Sequence, residues 1–495
     1  MKRILFYILI FIFIYSLALI NNAIDMDYWA RILQGNAFWQ LGTILKQDPF
    51  SYTQTHLWLD HEWGSSVIFS FIQNHFGYIG ILLFRTLLVT SIFILLFETI
   101  KLREEKTNTF LNLSLFIIGA YAIPTITMSA LRCHFFTFFF FSLLIFLLEY
   151  IRKHEKYKLL IALPLIMIFW VNIHGGCVSG LGLLFMYALG EFINKRKFLP
   201  YIYTMLACTL VMFINPYGFE YVKFIFMATT MTRPFVTEWI SPFAHNNWLF
   251  FIEFKIFYII NLIILILNLK KFKQDAVKYI ILIICAYLSF KYIKNTPFFI
   301  ITSIIFLYGD ILSFFKKFII DTKAIYYVAC FFVLMHSLNI IVNYKPIPNI
   351  SLQPYKVVEF LKINELKGNI LAPFDMCSYI TYKLYPNNLI YMDGRYEEVY
   401  FKNTKDLLDN FYNVNKDWDK IFEIGLTHDY IITPRNGLIN DYLVQRKDYT
   451  YIYADDDNCL FIRNEKLKSK YYRPSQDYNY YLQNALSTDI LFVVK

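Results

Sequence analysis

The stretch KRILFYILIFIFIYSLALINNAIDMDYWA (residues 2–30) contains two cations, a long apolar run and then two acids. A bilayer core about 30 Å thick needs roughly 20 apolar residues in a helix. The run over residues 4–22 is therefore predicted to span a membrane. A cleaved signal peptide is the alternative, but the run is long and lacks a clear small-residue cleavage site.

Similar apolar runs recur up to about residue 343, and the remainder has an ordinary soluble composition. The chain is 57% hydrophobic and only 17% charged, which is typical of a membrane protein. We predict a transmembrane domain over residues 1–343 and a second domain over residues 344–495. About eleven transmembrane helices are expected, near residues 4–22, 79–99, 108–126, 134–150, 158–173, 177–193, 199–214, 251–269, 276–290, 297–314 and 324–343.

Charge in the loops predicts the orientation of these spans. Lys2 and Arg3 precede the first span, and basic clusters then occur at every second loop, at 101–106, 152–158, 195–197, 270–273 and 316–323. Positively charged loops stay in the cytoplasm. The N-terminus is therefore predicted to be cytoplasmic and the C-terminal domain extracytoplasmic. The net charge of +10 comes largely from these clusters and gives no reason to expect nucleic-acid binding.

The first outer loop, residues 23–65, is long and acidic. Asp25 and Asp27 follow the first span directly, at the predicted boundary between membrane and water. A carboxylate in such partly apolar surroundings suits general-base chemistry on a lipid-linked substrate. Solvated acids are the alternative, and we favour the functional reading for Asp27. Most of the loop's tryptophans, at 29, 39, 58 and 63, are expected to form an interfacial aromatic belt.

Two later outer segments also carry polar side chains. His174 precedes Gly175 and Gly176 in a very tight turn and is predicted to face an outer cavity, with a plain helical hairpin as the alternative. The outer loop at residues 215–250 contains Arg233 and Glu238, and for Glu238 a structural salt bridge is equally compatible with the sequence.

Arginines near the outer ends of spans provide candidate phosphate ligands. Arg85 lies inside the second predicted span, where a charge must be paired or face a polar cavity. Arg132 begins the fourth span, and guanidinium binds phosphate in bidentate fashion. Lys291 and Lys294 are better explained by snorkelling to lipid phosphates.

The C-terminal domain is predicted to have an α/β fold with a central sheet. The expected strands are 369–371, 389–392, 430–432, 449–454 and 459–463, with helices near 354–364, 376–384, 403–412 and 416–424. Asp393-Gly394-Arg395 follows a strand and is either a ligand contact or a turn with a salt bridge. Cys377 and Cys459 could form one disulfide. The tyrosine-rich end is expected to pack on the domain rather than bind sugar rings.

Several motifs together resemble bacterial membrane proteins of the GT-C type, which are glycosyltransferases that use polyprenyl-phosphate-linked sugars. In the first outer loop the resemblance is carried by Asp27, Trp29, Gly35, Asp48 to Ser51, Thr53 and His61 to Trp63. Further matches are Trp170, Asn172 and His174 to Gly176; Asn215 to Gly218; Glu238-Trp239; and Asp393 to Arg395. The resemblance thus extends along nearly the whole chain.

The resemblance implies a catalytic base in the first outer loop, which falls on Asp27 or Asp25. Family members often have Asp-Glu here, whereas this chain has Asp-Met-Asp, so the choice of carboxylate stays open. A divalent cation, Mg²⁺ or Mn²⁺, is an optional cofactor. The predicted substrate-binding residues are His61, Glu62, Arg85, Arg132, His174, Arg233 and Glu238.

The predicted function is sugar transfer from a polyprenyl-phosphate-linked donor to a glycan, lipid or protein acceptor, at the outer face of a bacterial plasma membrane. A transporter or flippase for lipid-linked glycans is one alternative, although we find no clear inverted repeat. A non-catalytic factor in envelope-glycan assembly is the other, because a fold does not determine an activity.

Overall fold

The computed structural model describes residues 2–24, 26–123, 131–231, 237–244, 247–316, 323–414 and 417–484. Contacts divide the chain into two compact units. The first, here called the helical unit, consists of residues 1–22 and 81–346. The second, the mixed unit, consists of residues 23–80 and 347–495. The first outer loop therefore clusters with the C-terminal segment.

The helical unit is built almost entirely from apolar helices. A long helix, Trp63–Arg103, begins in the mixed unit and ends in this one. The other helices are Lys2–Ile20, Thr109–Ala122, His134–His154, Ala162–Ile173, Val178–Ile193, Leu199–Val211, Phe219–Thr230, Ile252–Asn268, Ala276–Lys291, Thr296–Phe306, Tyr308–Phe314 and Lys323–Asn343. Short 3-10 turns are Tyr157–Ile161, Gly175–Cys177, Thr237–Trp239, Leu269–Gln274 and Ile293–Asn295.

Each predicted span contains a helix, but the helices differ in length. Among the described residues, six are long and apolar enough to cross a membrane: Arg3–Ile20, Trp63–Arg103, His134–His154, Gly175–Ile193, Ile252–Gln274 and Lys323–Asn343. A bent pair, Ile293–Phe306 and Tyr308–Phe314, would make a seventh despite its 67° bend. A helix rises about 1.5 Å per residue, so shorter ones such as Thr109–Ala122 do not reach across a bilayer core alone. The count of eleven spans stays a prediction.

Charged side chains connect several helix ends within the helical unit. Arg103 forms ion pairs with Glu149 and, at 2.9 Å, with Asp275. Arg152 pairs with Asp275 at 2.8 Å and with the fully buried Glu191 at 2.6 Å. Burial alone would raise the pKa of Asp275, but the two arginines hold it below its usual range. These two members of the basic loop clusters are thus balanced by nearby acids.

The mixed unit contains a five-stranded sheet in the order β2-β1-β3-β5-β4. Its strands are β1 (Gly368–Leu371), β2 (Asn388–Ile390), β3 (Tyr430–Pro434), β4 (Tyr449–Ala454) and β5 (Asn458–Arg463). β1 pairs in parallel with β2 and β3, while β5 is antiparallel to β3 and β4. This confirms the predicted C-terminal α/β sheet, with strand ends shifted by one or two residues.

The mixed unit also contains several helices, and aromatic rings pack between its elements. Besides Met26–Leu41, discussed below, they are Tyr355–Ile363, Phe374–Leu384, Tyr396–Val399, Lys402–Asp409, Lys420–Glu423, Ile439–Gln445 and Tyr478–Asn484, with a π turn at Asn410–Val414 and a 3-10 turn at Asn464–Lys466. Tyr481 packs on Tyr355 at a ring distance of 4.7 Å, so the tyrosine-rich end packs on its own unit as expected. Cys377 and Cys459 are both buried and unbonded, and the disulfide prediction is wrong.

The helix Met26–Leu41 was not predicted from the sequence. Its buried residues include Arg31, Gln34 and Asn36, so it lacks the apolar stripe that would have revealed it. A Cβ atom at Gly35 would collide with the carbonyl oxygen of Ser66, which shows that this helix touches the start of Trp63–Arg103 backbone to backbone.

The prediction of an aromatic belt is wrong for two of the tryptophans in the first outer loop. Trp29 and Trp58 are almost fully buried within the mixed unit, whereas Trp39 is half-exposed. The first outer loop contributes aromatic side chains to the hydrophobic core of the mixed unit. Its position in the sequence, next to a predicted span, does not reveal this.

Candidate functional site

Asp27 lies in the first turn of Met26–Leu41 and is partly exposed. The helix is held by Trp29, whose ring packs on Tyr379 at a centroid distance of 5.0 Å. The first turn of a helix is a favourable position for a carboxylate. A well-held, accessible carboxylate is what a general base requires. Asp25, the alternative base, lies outside the described residues.

Gly394 approaches the Asp27 side chain. A Cβ atom built on Gly394 would lie 3.8 Å from Oδ1 of Asp27 and 3.2 Å from Sδ of Met26. A larger residue at position 394 would therefore narrow the space beside the carboxylate. The sequence separates Asp27 and Gly394 by most of the chain, so their spacing gave no sign of this contact.

The loop that carries Gly394 is fixed by a buried arginine. Arg395 donates hydrogen bonds to Asp393 at 2.8 Å, to Asp48 at 2.8 Å and to the Tyr400 hydroxyl at 3.0 Å. Burial alone would lower the pKa of Arg395, but Asp393 and Asp48 raise it well above its usual value. Its guanidinium also lies 4.6 Å from the ring centroid of Trp58. Of the two readings of this motif, the structure shows the turn with a salt bridge.

Two motifs that lie far apart in the sequence therefore form one structural element. Asp48 belongs to the Asp-Pro-Phe-Ser segment of the first outer loop, and its neighbour Ser51 contacts the Tyr400 hydroxyl at 2.7 Å. Thr53 donates a hydrogen bond to the carbonyl oxygen of Tyr391 at 2.8 Å. The first outer loop is thereby joined to the C-terminal segment beside the loop that faces Asp27.

His61 and Glu62 lie in a second charged network of the mixed unit. His61 pairs with Glu398 at 2.7 Å, and Arg31 pairs with Asp60 at 2.7 Å and with Glu62 at 3.4 Å. The three carboxylates outnumber the single arginine, which favours a charged imidazole. Contact of His61 or Glu62 with a substrate stays a prediction.

Raising the pH from about 7 to about 10 is expected to destabilise the mixed unit, because His61 loses its proton. Burial alone would lower the pKa of His61, but Glu398 and Glu62 raise it to about 9 from an ordinary value of 6.5. The charged His61 side chain therefore stabilises the folded unit, and this stabilisation is complete below the unfolded-state pKa of 6.5. It is lost as the pH rises through the folded-state pKa of about 9. The loss should reach roughly 3 kcal/mol. Denaturant unfolding at several pH values measures it, and a His61→Gln variant with the wild-type pH dependence would contradict the assignment.

In the helical unit, Arg132 forms an ion pair with Glu238. The segment after Glu238 is also tied down, since Ile293 donates a backbone hydrogen bond to the carbonyl oxygen of Ile240 at 3.0 Å. The ammonium of Lys294 lies over the ring of Trp239. The salt-bridge reading of Glu238 is therefore the one observed. Arg233, from the same outer loop, lies outside the described residues.

His174 is buried at the tight turn that was predicted for it. Its Nδ1 accepts a hydrogen bond from the backbone N–H of Gly176 at 2.9 Å and lies 2.7 Å from the Thr137 hydroxyl. A Cβ atom at Gly176 would collide with Thr137, which explains the glycine. The ring of His134 lies 4.9 Å from that of His174.

Arg85 is buried beside the same region. Its guanidinium donates a hydrogen bond to the carbonyl oxygen of Asn21 at 2.8 Å and lies 5.9 Å from the ring centroid of Phe135. Basic side chains thus gather around the N-terminus of the helix His134–His154. We call this group the basic cluster; it consists of Arg85, Arg132, His134 and His174. A helix N-terminus with basic side chains is suited to an anion such as phosphate.

Sequence reasoning missed His134 as a member of this cluster. His134 starts the fourth predicted span and His174 ends the fifth, so both belong to the same side of two consecutive spans. That relation was available from the predicted topology. Arg31, Asp60 and Glu398 were also missed, because no local pattern indicates which distant charges will pair.

Within the described ranges, no group of three or more His, Cys, Asp or Glu side chains is arranged to hold a metal ion. Three buried acids of the mixed unit, Asp60, Glu398 and Asp393, are paired with Arg31, His61 and Arg395 respectively. The divalent cation that the resemblance left open stays a prediction.

The fold of this chain is similar to that of an archaeal oligosaccharyltransferase. The apo crystal structure of the Archaeoglobus fulgidus enzyme superposes with a TM-score of 0.60 at 7% identity, covering 86% of this chain and 69% of that one. Oligosaccharyltransferase AglB of the same organism, in complex with an inhibitory peptide and a dolichol-phosphate, gives 0.59 at 8% identity, covering 94% and 74%.

These similarities confirm the predicted GT-C type fold of a multi-pass helical membrane protein. No family model and no curated protein sequence matches the chain. At this level of identity the likeness concerns the fold, and the chemistry must be argued from the side chains.

Proposed function

We propose that this protein is a membrane glycosyltransferase that moves a sugar from a lipid-phosphate-linked donor to an acceptor at the outer face of the membrane. The observation that carries the proposal is the fold shared with an oligosaccharyltransferase whose structure contains a dolichol-phosphate. Asp27, partly exposed in the mixed unit, provides a side chain suited to the general-base half of such a reaction.

In the proposed reaction an acceptor hydroxyl or amide attacks the anomeric carbon of the donor sugar. Asp27 accepts the proton as the new bond forms, and the bond between the anomeric carbon and the phosphate oxygen breaks. The lipid phosphate leaves with the bonding electron pair. Phosphate is a weak base, so it needs charge neutralisation more than protonation, a role suited to arginine side chains. A single displacement inverts the anomeric configuration.

The distribution of charge along the sequence supports the proposed orientation. Basic clusters occur at every second loop, which predicts a cytoplasmic N-terminus and an extracytoplasmic C-terminal domain. Nucleotide sugars are cytoplasmic, so an outer-face enzyme requires a lipid-linked donor. A bacterial plasma membrane is the proposed location.

A panel of labelled donors tests the donor class. Purified protein in nanodiscs is incubated with polyprenyl-phosphate sugars, polyprenyl-diphosphate sugars or nucleotide sugars, with a membrane extract as the source of acceptor. We expect label to be transferred from lipid-linked donors and not from nucleotide sugars. Transfer from nucleotide sugars alone would contradict the proposal.

Arg132→Gln is expected to raise the KM for a lipid-phosphate donor about 10- to 100-fold, because a charge-assisted hydrogen bond contributes about 1.5–3 kcal/mol. Steady-state kinetics measure the change. Lys223→Gln is the matched control, since Lys223 is a largely exposed cation of the same unit that pairs with Glu220. Glu238→Gln removes the ion pair but keeps the arginine, so it should not raise KM, because Arg132 then faces no competing carboxylate. An unaltered KM in Arg132→Gln would remove Arg132 from the donor site.

A further inference from the structure

The sheet of the mixed unit has one covered edge and one open edge. β2 lies at one end of the sheet, where Ile390 donates a backbone hydrogen bond to Phe50 at 3.0 Å and accepts one from Tyr52 at 3.1 Å, so the first outer loop covers it. β4 lies at the other end and pairs with β5. Within the described ranges, no backbone hydrogen bond outside this pairing involves residues 449–454. One side of β4 therefore presents backbone N–H and C=O groups to a further strand.

The composition of β4 gives this open edge little protection. Proteins protect edge strands with charged side chains, proline, bulges or a covering segment. Residues 449–454 read Tyr-Thr-Tyr-Ile-Tyr-Ala, with no charge and no proline. A bulge at Ile452 is present, but residues 449–451 keep a regular register with β5. Since Tyr451 is also 50% exposed at the middle of the strand, the edge is suited to the addition of another strand.

Charge at the two ends of β4 indicates which strand fits. Residues 446–448, before the strand, carry a net charge of +1, because Arg446 pairs with Asp448 at 2.7 Å and the exposed Lys447 remains. Residues 455–457, after the strand, are three aspartates. A second β4 in antiparallel orientation places the positive end of each copy beside the negative end of the other. A parallel β4 would place like charges together, which opposes that orientation.

We propose that β4 is a dimer interface, at which two copies of the chain pair in antiparallel orientation and join their five-stranded sheets into one. Antiparallel pairing of identical strands has twofold symmetry, the commonest symmetry of homo-oligomers, and it leaves neither edge open. Backbone hydrogen bonds hold the two strands together, while the charged ends select orientation and register. With Tyr451 at the centre of the pair, Lys447 of each copy lies opposite Asp455 of the other. The proposal does not depend on the proposed glycosyl transfer.

Cysteine crosslinking in membranes tests this proposal on the full chain. Thr450→Cys, Tyr451→Cys and Ile452→Cys are made one at a time, and copper phenanthroline drives disulfide formation before the membranes are solubilised. Three adjacent positions keep the test valid if the bulge shifts the register or one variant fails to fold, which size-exclusion profiles check. Tyr472→Cys, at a tyrosine of the mixed unit that is 62% exposed, is the matched control for simple exposure. Wild type measures crosslinking through the native cysteines.

We expect covalent dimer from at least one of the three β4 variants, at a yield at least fivefold above both Tyr472→Cys and wild type. Yields no higher than that of Tyr472→Cys at all three positions would overturn the proposal, since random collision of exposed thiols would then explain the reaction.

Charge reversal in the crosslinking variant tests the pairing of the two ends. Lys447→Glu alone, or Asp456→Lys together with Asp457→Lys, should lower the yield at least threefold, because each change gives the two ends the same sign of charge. All three changes together reverse both ends and should restore the yield. The three side chains are exposed, and the pair that Asp456 forms with Lys356 at 2.6 Å is a surface pair. A yield that the single reversals leave unchanged, or that the combination does not restore, would overturn the antiparallel dimer.

Discussion

Replacing Arg395 by leucine is expected to destabilise the mixed unit by about 3–5 kcal/mol. The substitution leaves the carboxylates of Asp48 and Asp393 buried without the guanidinium that neutralises both. Both acids have side chains at most 4% exposed, so water cannot replace the lost contacts. Thermal or denaturant unfolding of the purified protein measures the change.

Arg463→Leu is the matched control for this prediction. Arg463 is a partly exposed arginine of the same unit that pairs with the exposed Glu465, and such surface pairs contribute at most about 1 kcal/mol. Adding Asp48→Asn and Asp393→Asn to Arg395→Leu should restore part of the lost stability, because no uncompensated charge then remains. Equal stability of Arg395→Leu and Arg463→Leu would contradict the assigned role of Arg395.

Replacing Asp27 by asparagine is expected to lower kcat for sugar transfer by about 10²- to 10⁴-fold, the usual contribution of a general base. Asparagine has nearly the same volume but cannot accept the acceptor's proton, so the KM for the donor should change little. Asp441→Asn is the control, since Asp441 is an exposed carboxylate in the first turn of another helix of the mixed unit. Full activity of Asp27→Asn with intact folding would move the base to another acid, such as Asp25.

Much of the architecture was predictable because apolar run length and strand-forming segments are local signals. Every predicted span contains a helix, and β4 occupies the residues predicted for it, Tyr449–Ala454. The helix Met26–Leu41 escaped prediction because its buried side includes Arg31, Gln34 and Asn36, whose partners Asp60, Ser66 and Asn74 belong to other segments of the folded unit.

The candidate site was predictable only in part, for a related physical reason. Local sequence motifs were enough to single out Asp27, Arg132 and His174 as candidate functional residues. The pairing of Asp48 with Arg395, and the approach of Gly394 to Asp27, depend on contacts between segments more than 300 residues apart. A single sequence carries no local record of such contacts, so the network that fixes the loop beside Asp27 appears only in the structure.

A glycosyltransferase of the proposed kind breaks the bond between the sugar and its lipid carrier. The most direct test of this cleavage follows a polyprenyl-phosphate sugar labelled with ³H in the sugar and ¹⁴C in the lipid, in proteoliposomes containing an acceptor. We expect the two labels to separate in wild type and not in Asp27→Asn, with ³H appearing on the acceptor and ¹⁴C remaining as lipid phosphate. Labels that stay together while the intact lipid crosses the bilayer would contradict it and identify a transporter.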